Sequence, residues 1–247
     1  MISPIRPTVG VLLSGGLDSS ILVARLLAEG HRVQPFYICT ELLWQTEELA
    51  AARRFLEAIR QSALNELVLL QMPLRDLYVD HWSVSGQNTP DADSPDAAVF
   101  LPGRNALLLV KAALWCQMRG IEYLALAPLG TSPFADAAAP FFHDFQAALN
   151  CGDLPQLTIL RPFDGFTKLQ VMELGRHYPL ELTCSCIAPR GGLHCGQCNK
   201  CAERQAAFAT IGMTDRTQYK ESSGIATRER EIVALLPAAD LPLSPAS

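Results

Sequence analysis

Two short clusters in this sequence have residue types and spacing suited to chemistry. The first is the run Ser14-Gly-Gly-Leu-Asp-Ser-Ser20, which follows an apolar segment and precedes a helical pattern. Adjacent glycines let the backbone turn tightly and present its N–H groups to a ligand, and a helix N-terminus adds partial positive charge. The run therefore predicts a phosphate-binding loop. The alternative is an ordinary turn in which Asp18 or Ser19 caps the helix.

The second cluster contains five of the eight cysteines of the chain. Four of them follow the spacing C-x8-C-x2-C-x2-C, at Cys186, Cys195, Cys198 and Cys201. A C-x2-C pair presents two thiolates to one ion, and four thiolates suit a closed, tetrahedral zinc site. The spacing therefore predicts structural Zn²⁺. Free thiols, an iron–sulfur cluster, or Cys184 as the first ligand instead of Cys186 are the alternatives.

Composition limits the class of protein. Of the 247 residues, 49% are hydrophobic and 18% charged, which excludes disorder as a general description. The net charge of −5 gives no bulk attraction to a phosphate backbone, so a nucleic-acid partner would need a local basic patch and is not expected. Neither a signal-peptide segment nor an apolar run of membrane-spanning length is found, so we expect a soluble cytoplasmic protein with no membrane partner.

The elements that must position these clusters alternate between strand and helix. Apolar runs predict strands over 9–13, 32–39, 66–71 and 123–127. Helical patterns follow the phosphate-binding loop up to Gly30 and recur over 45–60, 105–117 and 141–149. This alternation predicts an α/β fold, a Rossmann-like parallel sheet with helices on both faces. We expect a nucleotide-binding domain over 1–183, a zinc-binding segment over 184–220 and a tail over 221–247.

The phosphate-binding loop resembles that of the PP-loop ATP pyrophosphatase superfamily, whose motif SGGxDS also follows the first strand. The resemblance implies an adenine nucleotide alpha hydrolase-like fold, binding of ATP and Mg²⁺, and cleavage of ATP between its α- and β-phosphates. It also implies which residues contact the nucleotide: Leu13, Ser14, Gly15, Gly16, Leu17, Asp18, Ser19 and Ser20.

The cysteine cluster resembles the C-terminal signature of one branch of that superfamily, the 7-cyano-7-deazaguanine synthases. Thr183-Cys-Ser-Cys186 matches the family's Thr-Trp-Ser-Cys, and Cys195-Gly-Gln-Cys198-Asn-Lys-Cys201 matches its CGxCxxC. Leu101-Pro-Gly-Arg-Asn105 and Phe166-Thr-Lys168 match two internal landmarks. The resemblance covers about residues 9–216 and makes Cys186, rather than Cys184, the matching ligand.

Two segments depart from this family. The family usually has D-Y-G-Q-R-H after its second strand, where this chain has Tyr37-Ile-Cys-Thr-Glu-Leu-Leu-Trp44. The family's substrate-side S-G-Y-P-D-C-R is replaced by Ser132-Pro-Phe-Ala-Asp136-Ala-Ala. The adenylation chemistry is unaffected by these differences, whereas the identity of the adenylated acid depends on them.

The resemblance implies an ATP-dependent ligase of the carbon–nitrogen class. It would convert 7-carboxy-7-deazaguanine and ammonia into 7-cyano-7-deazaguanine through adenylated intermediates, and it would be a homodimer. The catalytic residues implied are Ser14, Asp18, Arg104 and Lys168. For the substrate we expect Asp136 to bind the N–H/NH₂ edge of the base. Phe134 is expected to lie against the ring or, as the alternative, to pack within its loop beside Pro133. The alternatives are a paralogue that adenylates another acid and a non-catalytic nucleotide- or RNA-binding zinc module.

Overall fold

The computed structural model describes residues 6–220, whose centre is a five-stranded sheet with the strand order β3-β2-β1-β4-β5. The strands are β1 Thr8–Leu12, β2 Arg32–Cys39, β3 Val68–Gln71, β4 Tyr123–Ala125 and β5 Thr158–Leu160. Every neighbouring pair is parallel. A parallel sheet is covered on both faces, which explains why the central strands are continuous apolar runs in the sequence.

Helices cover both faces of the sheet. The described residues form α1 Leu17–Ala28, α2 Gln45–Ala58, α3 Arg75–Tyr78, α4 Trp82–Ser85, α5 Arg104–Gln117, α6 Ala139–Leu149, α7 Lys168–Leu174 and α8 Asn199–Thr210. Alternate side chains of a strand point to opposite faces. Val9 and Val11 of β1 therefore pack with α1, α7 and α8, whereas Leu12 packs with α5 and α6.

Close packing between β1 and α5 depends on Gly10. A Cβ at this position would lie 2.8 Å from Cys116 Sγ and 2.9 Å from the ring of Phe36. Both neighbours are fully buried side chains that cannot move without opening the core. Gly10 therefore lets α5 approach the sheet, and this approach sets where the first residue of α5, Arg104, lies.

A third apolar cluster lies beyond the carboxyl ends of the strands. It combines the four cysteines of the C-x8-C-x2-C-x2-C pattern with side chains from α3 and the loops, which include Leu42, Trp44, Val99 and Leu101. The cysteine segment is thus packed onto the α/β domain. It covers the edge of the sheet at which ligands bind in folds of this kind.

The α/β prediction is confirmed, and strand 32–39 has the predicted bounds. The sequence analysis missed β5, α3, α4 and α7, which are short, and α8, which begins inside the cysteine pattern. The predicted tail over 221–247 lies outside the described residues. Among residues 6–220, no helix has both the length and the apolar character needed to cross a bilayer.

Candidate functional site

A cavity of about 340 Å³ opens at the carboxyl ends of β1, β2 and β4. β1 lies between the other two strands, and the chain leaves it toward β2 on one side and returns at β4 on the other. This is a topological switch point, where loops diverge and leave a crevice in open α/β sheets. Residues of the phosphate-binding loop line this cavity.

The loop conformation depends on Gly15. Its φ of +78° lies in the left-handed region, and a Cβ there would lie 2.4 Å from the carbonyl oxygen of Glu48. Any side chain at this position would therefore be strained and would collide with backbone. On its other side, the Gly15 carbonyl accepts a hydrogen bond of 2.7 Å from the N–H of Cys184. The loop is thus held between α2 and the cysteine segment.

Two hydroxyl groups organise the loop from within. Ser14 Oγ lies 3.0 Å from Ser19 Oγ and accepts a hydrogen bond of 3.3 Å from the N–H of Gly16. Six of the eight residues expected to contact nucleotide line the cavity: Leu13, Ser14, Gly16, Leu17, Asp18 and Ser19. Gly15 and Ser20 do not, because Gly15 packs against α2 and Ser20 is fully buried within the fold.

A chain of alternating charges crosses the cavity next to the loop. Lys168 Nζ lies 3.0 and 2.9 Å from the two carboxylate oxygens of Asp18 and 3.2 Å from Glu203 Oε1. Glu203 Oε2 accepts a hydrogen bond of 2.6 Å from Lys200 Nζ. Lys168 begins α7 behind the capping box of Thr167 and Gln170, and Glu203 and Lys200 lie on α8. Three helices thus contribute to one charge-balanced row.

Burial and the neighbouring charges act in opposite directions on this row. Burial favours the neutral amine of Lys168, but the Asp18 and Glu203 carboxylates outweigh it and raise the pKa of Lys168. Burial likewise favours the neutral acid of Glu203, but Lys168 and Lys200 outweigh it and lower the pKa of Glu203 to about 2. Lys168 and Glu203 are therefore both charged at neutral pH, and a cation lies beside the loop.

A second wall of the cavity, formed where α2 and α5 begin, contains Arg104 and Glu48. Arg104 begins α5, and its Nε is buried without a hydrogen-bond partner among the described residues. Glu48 lies in the first turn of α2, where Oε2 accepts a hydrogen bond of 3.2 Å from Tyr37 Oη. Burial raises the pKa of Glu48 to about 7, although the Arg104 charge and the Tyr37 hydrogen bond oppose this shift.

The residues expected to bind the base are only partly brought to the cavity. Phe134 lines it and packs against Phe100 with ring centroids 5.3 Å apart. Asp136 is not among the lining residues, and its Oδ2 accepts a hydrogen bond of 3.4 Å from the N–H of Asn105. Asp136 therefore satisfies one of the free N–H groups at the start of α5, and its expected role in recognising the base has no support from this geometry.

The four sulfur atoms of the cysteine pattern lie within 4.8 Å of one another. Cys186 Sγ and Cys198 Sγ are 3.9 Å apart, as are Cys195 Sγ and Cys201 Sγ. A tetrahedral ion with bonds of about 2.3 Å needs sulfurs about 3.8 Å apart, so these residues form a candidate four-cysteine metal site. Cys184 is outside it, with its N–H bonded to the phosphate-binding loop.

Arg204 connects the cysteine segment to the α/β domain through hydrogen bonds. It is 1% exposed, and its guanidinium donates hydrogen bonds of 2.8 Å to Thr217 Oγ1, 2.9 Å to Thr183 Oγ1 and 2.7 Å to the carbonyl of Leu180. Buried charges persist when their donors are satisfied. Residues on both sides of the cysteine cluster thus converge on one side chain of α8.

Sequence reasoning missed several cavity residues. Glu48 and Tyr37 lie on elements that were predicted, but nothing in their spacing relates them to each other or to the cavity. Lys200 and Glu203 carry a faint signal, because a Lys and a Glu three residues apart on a helix commonly pair. The pairing of Glu203 with Lys168 joins two helices that the sequence analysis missed.

Comparison with known proteins gives matches over most of this chain. A family model described as "Queuosine biosynthesis protein QueC" matches residues 8–212, which include the phosphate-binding loop and the four clustered cysteines. The chain is 25% identical over 227 residues to the 7-cyano-7-deazaguanine synthase of Chlorobaculum tepidum, covering 85% of this chain and 95% of that protein. It is 28% identical over 229 residues to the synthase of the same name from Methylobacillus flagellatus, covering 87% and 97%.

Solved structures also share similarity with this chain. A predicted subunit of a tRNA methyltransferase from Methanocaldococcus jannaschii matches with a TM-score of 0.44 and 15% sequence identity. This match covers 69% of this chain and 76% of that one. An NMN synthetase from Francisella tularensis matches with a TM-score of 0.41 and 16% identity, covering 85% of this chain and 79% of that one.

Proposed function

The chain belongs to the family of the queuosine biosynthesis protein QueC, and from this premise we propose that it is an ATP-dependent carbon–nitrogen ligase. The reaction proposed converts 7-carboxy-7-deazaguanine and ammonia into 7-cyano-7-deazaguanine, the product in the name shared by its relatives. One observation carries the proposal: a single cavity brings the phosphate-binding loop together with Lys168 and Arg104. These residues are separated in sequence, and each is a suitable partner for a phosphate or a carboxylate.

The first half of the reaction is adenylation. The substrate carboxylate attacks the α-phosphorus of ATP, a P–O bond forms, and pyrophosphate leaves with the electrons of the bond that breaks. The loop N–H groups and the Ser14 and Ser19 hydroxyls hold phosphate oxygens, while Lys168 balances the charge that grows on the leaving pyrophosphate. Arg104 orients the carboxylate with its planar donors. The protein contributes mainly position and electrostatics.

The cation that accompanies ATP fits the residues of the loop. The carboxylate of Asp18 and the nearby hydroxyls are hard oxygen donors, which Mg²⁺ prefers. Asp18 would hold Mg²⁺ together with phosphate oxygens, and the ion would supply positive charge at the pyrophosphate. Lys168 pairs with Asp18 in the described structure. When Mg²⁺ binds Asp18 instead, the Lys168 ammonium group would be free to contact phosphate.

The second half of the reaction builds the nitrile. Ammonia attacks the acyl carbon of the adenylate, a C–N bond forms, and AMP leaves to give the amide. The amide oxygen then attacks the α-phosphorus of a second ATP, and pyrophosphate leaves. Loss of AMP and of both amide protons leaves the C≡N bond. The cavity walls keep water from the adenylates, which would otherwise hydrolyse.

For the cysteine site we propose structural zinc. All four ligands are thiolates and buried, so no coordination position is left for a substrate. Backbone N–H groups of Cys195 and Cys198 lie 3.2 and 3.3 Å from cysteine sulfurs, and such contacts support thiolate charge. The ion would hold together the segment that carries Lys200, Glu203 and Arg204.

A second candidate function is adenylation of a different acid by the same machinery. It is favoured by the rebuilt segment Ser132-Pro-Phe-Ala-Asp136, in which Phe134 contacts the cavity but Asp136 does not. One experiment decides between these functions. The protein is incubated with ATP, Mg²⁺, ammonium chloride and a panel of deazapurine acids, and products are identified by mass spectrometry.

The expected result is 7-cyano-7-deazaguanine together with AMP and pyrophosphate. Turnover of another acid alone would replace the first candidate with the second. Binding of ATP without pyrophosphate release from any acid would contradict both and favour a non-catalytic nucleotide-binding module. Light scattering of the same sample tests the homodimer that the family resemblance implies.

A further inference from the structure

Glu48 is a cavity carboxyl group that the mechanism above does not use. Its side chain lines the same cavity as Ser14, Asp18 and Arg104, and its backbone carbonyl packs against Gly15. It therefore lies beside the phosphate-binding loop, at the start of α2. A second carboxylate so close to bound phosphates weakens nucleotide binding by like-charge repulsion. A residue that weakens nucleotide binding in this way is expected to contribute to another step of the reaction.

The groups facing Glu48 come from three parts of the fold. Tyr37 of β2 donates a hydrogen bond to its carboxylate, Arg104 of α5 provides a positive charge, and the Cys184 thiol approaches from the cysteine segment. Arg104 forms no salt bridge within 4.0 Å among the described residues. Glu48 is thus neither neutralised by a close cation nor left in bulk water.

The proposed reaction needs a group with these properties. Ammonia exists mainly as the ammonium ion at neutral pH, and the ion has no free electron pair with which to attack a carbonyl. An enzyme that consumes ammonium must therefore bind a small cation and remove one proton beside the acyl adenylate. A carboxylate in a largely apolar wall attracts such a cation more strongly than it would in water.

We propose that Glu48 binds the ammonium ion and accepts its proton. The N–H bond breaks with its electrons left on nitrogen, and the proton becomes bonded to the Glu48 carboxylate. The resulting ammonia attacks the acyl carbon, AMP departs with the electrons of the C–O bond that breaks, and the second proton lost from nitrogen leaves with the AMP phosphate. This inference rests on the proposed function and assigns its nitrogen-binding site to a residue on the first turn of α2.

The protonation behaviour of Glu48 agrees with this role. Burial moves its pKa upward to about 7, and Arg104 and Tyr37 keep it from rising further. A general base works best when its pKa lies near the operating pH, because it is then both available and strong enough. A carboxylate of ordinary pKa would bind ammonium equally well but would be a much weaker base.

The test compares Glu48→Gln with the matched control Glu47→Gln. Both residues are in the first turn of α2, but Glu47 lies in a different surface groove. With ammonium chloride as the nitrogen donor, Glu48→Gln should lower formation of amide and nitrile by a factor on the order of 10² to 10⁴. Glu47→Gln should retain the parent rate.

Two further measurements separate proton transfer from a structural role. Glu48→Gln should keep acid-dependent exchange of pyrophosphate into ATP, because adenylation precedes the step at which Glu48 acts. It should also keep hydroxamate formation from hydroxylamine, which is largely uncharged at neutral pH and needs no base to become a nucleophile. The deficit with ammonium should shrink as pH rises and free ammonia accumulates.

Other outcomes overturn the inference. Parent-like use of ammonium by Glu48→Gln would reject it, and so would equal loss of exchange, hydroxamate and amide. If the parent protein itself shows no acid-dependent exchange, the proposed function has failed instead. Should Glu48→Gln not fold, Tyr37→Phe is the substitute variant. Loss of the Tyr37 hydrogen bond raises the pKa of Glu48 and should move the pH profile of the ammonium-dependent rate to higher pH. An unchanged pH profile would reject the proposal.

Discussion

The two walls of the cavity differ in how their charges are balanced. On the side of the phosphate-binding loop, Asp18, Lys168, Glu203 and Lys200 form a continuous row in which every charge has an opposite neighbour within 3.2 Å. On the second wall, where α2 and α5 begin, Arg104 has a buried Nε without a partner among the described residues, and the pKa of Glu48 is raised to about 7.

This difference indicates what each wall is built to meet. In a balanced row no buried charge is left unpaired before a ligand binds, which avoids a large destabilisation. Unbalanced polar groups cost folding free energy and are compensated only by a ligand that pairs with them. Under the proposed function, the charged row serves the nucleotide, and the second wall serves the acid and the nitrogen donor.

The largest effect is expected from Asp18→Asn. The change removes the proposed Mg²⁺ ligand and leaves Lys168 paired with Glu203 only, so pyrophosphate exchange should fall by a factor on the order of 10² to 10³. Thermal unfolding should be nearly unchanged, because Asp18 lies on the cavity surface rather than in the core. Exchange at the parent rate would show that the loop acts without this carboxylate.

The next largest effect is expected from removing one metal ligand. This change acts on the stability of the fold and not directly on the reaction. Elemental analysis should find one zinc per chain, and Cys198→Ser should lower the midpoint of thermal unfolding and abolish activity, since structural zinc binding is coupled to folding. The exposed Cys151→Ser serves as the matched control. A metal-free parent, or a stable and active Cys198→Ser protein, would contradict a structural zinc site.

Arg104→Ala tests the unbalanced wall directly. Loss of a charged hydrogen-bond donor should raise KM for the acid by about 10-fold to 100-fold, equivalent to about 1.5–3 kcal/mol, with a much smaller change in KM for ATP. Lysine at this position should recover only part of the loss, because it lacks the planar fork. Equal increases in both KM values would mean that Arg104 serves the nucleotide instead.

Glu203→Gln tests the balanced wall more gently. Lys168 keeps its contact with Asp18 but loses one of its two anchors, so kcat should fall several-fold while KM for ATP stays close to the parent value. Glu203→Asp should also have a lower kcat than the parent protein, because the shorter side chain does not span the distance to both lysines. Steady-state kinetics with measured zinc content checks this, and an unchanged kcat would remove Glu203 from the site.

The smallest effect is expected from Asp136→Ala. The carboxylate holds an N–H group at the start of α5, so its loss should cost about 1 kcal/mol of stability and only slightly raise KM for the acid. Sequence reasoning alone expects a large rise in KM, since it assigns Asp136 to the base. A rise as large as that of Arg104→Ala would restore the assignment to the base.

Sequence reasoning predicted the geometry best where the residues are close in sequence. The loop Ser14–Ser20 and the cysteine pattern are contiguous, so their residue types and spacing already imply how backbone and ligands are placed. The fold class followed from the alternation of strand and helix, and the bounds of β2 agreed because its apolar run is long and bounded. β5, with only Thr158–Leu160, was missed because three residues carry no recognisable period.

Which distant residues share the cavity depends on the packing of helices on the sheet. Lys168 reaches Asp18 across 150 positions of sequence, and Asp136 misses the cavity although its loop borders it. Local patterns report backbone preference, whereas contacts between distant side chains depend on how helices pack on the sheet. The pKa of Glu48 is likewise invisible in the sequence, because burial, Tyr37 and Arg104 act on it only after the chain has folded.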